Sequence, residues 1–126
     1  MSERKGWDNA FTAKDPYGTV EGSPSYAGAL SFMRRKYSRD LSGVDVAVTG
    51  IPLDLATTNR PGARFGPRAL RAVTPGISWA RPWPWDFDPF DRLAVIDYGD
   101  CEFDYGEPET IVPFIQKHIA EILEHG

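Results

Sequence analysis

Two short apolar runs, each followed by a helical stretch, constrain this chain more than any other feature. Val44-Asp45-Val46-Ala47-Val48-Thr49-Gly50-Ile51-Pro52 is β-branched and closed by glycine and proline, the pattern of a buried strand with its exit turn. Leu93-Ala94-Val95-Ile96-Asp97-Tyr98 is a second strand, ending in Gly99-Asp100. Gly66-Pro67 opens a helix through Val73, because a proline at the first helical position needs no amide donor. That helix stops before Pro75, which disfavours helical geometry at Thr74. From Pro108 to Glu124 the residues Ile111, Ile115, Ile119, Ile122 and Leu123 share one helical face, opposite Gln116, Lys117, Glu121 and Glu124. Strand, helix, strand, helix is the signature of a parallel α/β sheet. Strands this apolar expect neighbours on both sides, so the chain reads as the opening of an α/β domain: two βα units of an incomplete sheet.

The rest is less regular. Glycines and prolines punctuate residues 1–43 too often for long elements, leaving an N-terminal arm with one short helix over Ala27–Tyr37. Arg34-Arg35-Lys36 closes that helix and reads as a solvated end rather than a nucleic-acid contact. The division is therefore an arm, 1–43, and two βα units, 44–126. Between the units, Trp79 to Phe90 holds Trp83, Trp85, Pro82, Pro84 and Pro89, too many prolines for a regular element. The net charge is −4, with basic residues concentrated before residue 72 and acidic ones after it, which weakens a phosphate-binding role for the whole chain. No apolar run approaches the ~20 residues of a membrane helix. With no apolar segment behind the first basic residues and one cysteine, Cys101, a cytoplasmic location without membrane or nucleic-acid partners is expected.

In open parallel sheets functional residues gather at the carboxyl ends of the strands. Asp54 lies past the first, and Asp97 and Asp100 close the second. These carboxylates either cap turns and helix starts or stand as an outer layer behind a metal or cationic ligand. The glycine-rich nucleotide loops and the serine-hydrolase elbow are missing. His118 and His125 are seven apart, too far for a helical metal pair, and read as solvated helix-end histidines.

The longest distinctive pattern is Ala56-Thr57-Thr58-Asn59-Arg60-Pro61-Gly62-Ala63-Arg64-Phe65-Gly66-Pro67-Arg68-Ala69-Leu70-Arg71. With Gly50-Ile51-Pro52-Leu53-Asp54 before it, and Trp83-Pro84-Trp85-Asp86-Phe87 and Asp97-Tyr98-Gly99-Asp100 after it, the sequence over residues 41–126 resembles the agmatinase branch of the ureohydrolase (arginase) family. The resemblance implies a three-layer α/β/α enzyme, a homo-oligomer, acting on a small guanidino substrate such as agmatine. Two manganese ions would activate a hydroxide that attacks the guanidinium carbon and releases urea and an amine. The family's metal ligands come from Gly-Gly-Asp-His and Asp-Ala-His-x-Asp segments and a later aspartate pair, none of which occurs here. No catalytic or metal residue carries over, and the 126-residue chain is expected to be inert alone.

The loop does carry over, which places Thr57, Asn59 and Arg64 at the substrate mouth. A cationic substrate is a poor direct partner for Arg60 or Arg64, which are expected to tie the loop to Asp54 or Asp97; a guanidino acid could instead meet an arginine through its carboxylate. The rival reading is a non-enzymatic protein- or RNA-binding module that uses the arginine-rich loop and the tryptophan-proline stretch.

Overall fold

The computed structural model describes residues 9–12, 24–77 and 81–125. Its elements are α1 (Asn9–Thr12), β1 (Lys36–Tyr37), β2 (Val46–Gly50), α2 (Gly66–Val73), β3 (Val95–Asp100) and α3 (Pro108–Leu123), with short 3-10 turns at Phe32–Arg34, Ala63–Phe65, Thr74–Ile77 and Pro89–Asp91. Trp79, part of the expected irregular stretch, and much of the N-terminal arm lie outside the described residues.

The sheet is parallel, as expected, but among the described residues it has three strands, in the order β1-β3-β2. Lys36 and Tyr37 pair with Ile96 and Asp97, so part of the expected arm enters the sheet. β3 is central and buried from Val95 to Gly99. Among the described residues β2 has a neighbour only on one side, and it is half-exposed despite its apolar sequence. Apolar grooves flank its open edge, one lined by Phe32, Val48, Ile51, Pro67 and Leu70, the other by Leu41, Val44, Val46, Ile122 and Leu123.

The helix expected over Ala27–Tyr37 does not form. Met33 (φ 48°) and Arg34 (φ 54°) turn left-handed, a conformation no α-helix contains. The amides a helix would direct at carbonyls four residues back go elsewhere: Phe32 N–H donates to Asp97 Oδ2 (2.8 Å) and Met33 N–H to Thr74 Oγ1 (2.9 Å). Tertiary acceptors thus override the local apolar spacing. Nor is the basic cluster solvated, since Arg34 is 1% exposed and Arg35 2%. Arg34 Nη1 donates to the Pro24 and Ala27 carbonyls, and the Arg35 guanidinium lies 4.1 Å from the Phe90 ring centroid.

Both longer helices lie where the sequence puts them. α2 carries Pro67 in its first turn and passes at Thr74 into a 3-10 turn that holds Pro75. α3 buries Ile111 and half-buries Ile115, Ile119 and Ile122, whereas Leu123 is 70% exposed. The residue on α3 that sequence periodicity placed in solvent and the fold buries is His118.

Candidate functional site

The carboxyl ends of β2 and β3 lie side by side, and three polar clusters organise them. Asp97, on the buried central strand, accepts from Arg71 Nε (2.7 Å to Oδ2), Arg71 Nη2 (2.8 Å to Oδ1), Phe32 N–H (2.8 Å) and Gly99 N–H (2.9 Å). Arg71 Nη1 donates to Asp100 Oδ2 at 2.9 Å, so one guanidinium spans both carboxylates. Planar, forked donors suit this double pairing. Burial alone would raise the Asp97 pKa, but the Arg71 fork and the two amides hold it below the ordinary carboxylate range. Arg71 is raised by the Asp97 hydrogen bond, against its own burial.

The second cluster folds the loop after β2. Asp54 Oδ2 accepts from Gly62 N–H (2.8 Å) and, at a long 3.4 Å, from Arg64 N–H, while Arg64 Nε donates to Oδ1 (2.7 Å). Burial pushes the Asp54 pKa up; these donors outweigh it and leave it lowered. Thr57 Oγ1 donates to the Asp54 carbonyl at 2.6 Å. Gly62 (φ +127°) supplies the backbone reversal an L side chain resists. The Arg64 guanidinium also sits 4.2 Å from the Tyr105 ring centroid, and Tyr105 Oη donates to the Pro52 carbonyl. The loops that leave β2 and β3 are therefore joined. Asn59 is exposed and makes no hydrogen bond among the described residues.

A third cluster links β2, β3 and α3. Thr49 Oγ1 donates to the Gly99 carbonyl (2.8 Å), and His118 Nε2 lies 2.6 Å from the same hydroxyl. The His118 ring meets Tyr98 edge-on at 5.4 Å. Burial, then Arg39, lowers the imidazole pKa, with Glu121 and Asp100 opposing. His118 and His125 thus share no solvated face: His125 alone is exposed, its Nδ1 2.8 Å from the Glu121 carbonyl.

Of the residues singled out in the sequence, Asp54, Thr57 and Arg64 come together in one loop, and Asp97 and Asp100 come together around Arg71. Arg64 pairs with Asp54 as anticipated; Asp97 takes Arg71 instead. Tyr105 and the buried state of His118 carried no distinctive local signal, and Arg71, although inside the 56–71 pattern, carried none for its partner. Arg71 sits at the end of an ordinary-looking amphipathic helix, and its partner is 26 residues away.

The oxygens of Asp54 and Asp97 are already committed to cationic and amide donors. Among the described residues no group of three or more His, Cys, Asp or Glu side chains could hold a metal ion. The donor set among the described residues does not fit a manganese pair. No helix among the described residues is long and apolar enough to cross a membrane.

The sequence model of the Arginase family matches residues 44–126. Agmatinase from Chromobacterium violaceum is 56% identical over 120 residues, covering 94% of this chain and 37% of that protein. Agmatinase from Edwardsiella ictaluri is 41% identical over 83 residues, covering 65% and 27%. The crystal structure of a hypothetical agmatinase from Burkholderia thailandensis aligns with a TM-score of 0.89 at 55% identity, covering 94% of this chain and 37% of that one. The chain spans between about a quarter and little more than a third of the length of these relatives.

Proposed function

Because the chain belongs to the arginase family, we propose that it supplies the substrate-mouth loop and its supporting scaffold for an agmatinase-type hydrolysis, in which a small guanidino compound such as agmatine yields urea and an amine. The observation that carries this reading is the loop closed on Asp54 at the carboxyl end of β2, where open α/β sheets bind ligands. Within it the roles divide by what is already spent. Asn59 has its amide oxygen free to accept from a guanidinium, and Thr57, whose hydrogen goes to Asp54, keeps a lone pair for the same purpose. Arg64 repels a cation and serves by holding Asp54 and Tyr105.

Asp97 and Asp100, with Arg71, stand behind this mouth and fix the end of β3. Manganese chemistry, which the family implies, is not assigned to the residues of this chain. The reading carries with it a cytoplasmic homo-oligomer and a small-molecule substrate. Against an RNA-binding module stands the use of the arginines: Arg34 and Arg35 are buried, and Arg64 and Arg71 are paired with carboxylates.

The test joins this chain to the remaining length of the Chromobacterium relative and follows urea release. Asn59→Ala and Arg64→Ala should each lower kcat/KM by roughly 5- to 150-fold, the equivalent of ~1–3 kcal/mol, with manganese content unchanged. Loss of metal together with activity, or unchanged kinetics in both variants, would remove the loop from the substrate mouth.

A further inference from the structure

The proton positions around Thr49 can be assigned from chemistry alone. The Gly99 carbonyl can only accept, so the single hydroxyl hydrogen of Thr49, 2.8 Å away, points at it. His118 Nε2, 2.6 Å from the same oxygen, must then be the donor, and the ring carries its hydrogen on Nε2. A relay runs from His118 through Thr49 to Gly99.

That relay falls where the sheet is irregular. Val48 pairs with Asp97 but Thr49 pairs with Gly99, so β3 holds one extra residue, Tyr98, at a bulge. Gly99 has φ +82°, and a Cβ there would come within 2.7 Å of Tyr37 Oη. Gly99 faces both ways: its carbonyl ends the relay, and its amide donates to Asp97 Oδ1. Successive residues Asp97 and Tyr98 meet Arg71 of α2 and His118 of α3, the alternation of a strand. The charged or titratable groups acting on His118 are Arg39, Glu121 and Asp100.

We infer that His118 is a positioning residue: as an Nε2–H donor to Thr49 it holds the β3 bulge in register, and through Gly99 it sets the corner at which Asp97 and Asp100 receive Arg71. α3 thereby acts on the carboxylate pair through the bulge of β3. The inference stands on this geometry and not on the proposed reaction, because its test needs no substrate.

Amide hydrogen exchange in the full chain, resolved at Gly99 and Cys101 by mass spectrometry, reads the corner directly, since these amides donate to Asp97 Oδ1 and to the Gly50 carbonyl. A glutamine places its terminal nitrogen near the position of Nε2, and an asparagine nearer that of Nδ1. His118→Asn and Thr49→Val should speed exchange at both amides by roughly two- to tenfold, the fold-change of one hydrogen bond. His118→Gln and Thr49→Ser should restore the wild-type rate, with Val95 and Ile96 unaffected throughout. Equal effects of the asparagine and glutamine variants, or changes at Val95 and Ile96 as large as at Gly99, would overturn the assignment and leave His118 as packing. If variants at position 118 fail to fold, the Thr49→Val and Thr49→Ser pair decides the question with the imidazole in place: no difference between them overturns it.

Discussion

Arg71 and Asp97 are joined by two parallel hydrogen bonds, Nε to Oδ2 at 2.7 Å and Nη2 to Oδ1 at 2.8 Å, and the carboxylate is fully buried. Removing the guanidinium strands that charge. Arg71→Ala should cost ~3–5 kcal/mol, as for other broken buried pairs, read as lost exchange protection across β3. Arg71→Lys keeps the charge without the fork and should fall between the two.

Acid should loosen the same corner. The Asp97 and Asp54 pKa values are lowered in the fold, so their contribution is complete above the ordinary carboxylate value of about 3.9 and is lost as pH falls through the lower folded values. His118 is a base with a lowered pKa, so the unfolded chain takes up its proton first, and stability declines as pH drops below about 6.5. Exchange protection of β3 followed against pH should therefore decline in two stages, and His118→Gln should abolish the upper one alone.

Tyr105 is the bridge between the two loops. Tyr105→Phe keeps the ring beneath Arg64 and removes the bond to the Pro52 carbonyl, a loss of ~1 kcal/mol. Chymotrypsin cleavage after Leu55, in the exposed part of the loop, should become several-fold faster, while α3 stays protected. An unchanged rate would mean that the Asp54 cluster holds the loop without help.

The open edge of β2 should bind hydrophobic dyes. Leu70, 54% exposed, and Leu123 sit on the two flanking grooves. Leu70→Lys and Leu123→Lys together should reduce dye fluorescence and self-association measured by sedimentation, with β3 protection retained. Undiminished dye binding would locate the exposed apolar surface elsewhere.

Both longer strands, both helices and the loop signature were legible because each is encoded within one unbroken stretch of the sequence. β1 was not: two residues make no period, and Lys36–Tyr37 becomes a strand only because β3 offers an edge. The 27–37 helix failed for a related reason, since the acceptors that capture Phe32 and Met33 lie at Asp97 and Thr74. At the candidate site the acidic half could be read, as aspartates after apolar strands. On its cationic side the pairing of Arg64 with Asp54 could be read but that of Arg71 with Asp97 could not, because Arg68 and Arg71 look alike in sequence and only the crossover of α2 decides which one reaches Asp97. His118 was misread because a histidine among isoleucines gives no sign of whether a hydroxyl waits beneath it.

The strand order has a consequence for how the chain assembles during synthesis. β3 lies between β1 and β2, so the two strands that leave the ribosome first never touch each other. Among the described residues both find their strand partner only when residues 95–100 emerge, and the Phe32–Asp97 contact closes a span of 65 residues. Until then the apolar run of β2 stays unpaired on the nascent polypeptide, available to chaperones and to neighbouring chains. β3 is the strand that turns these two solitary segments into a sheet.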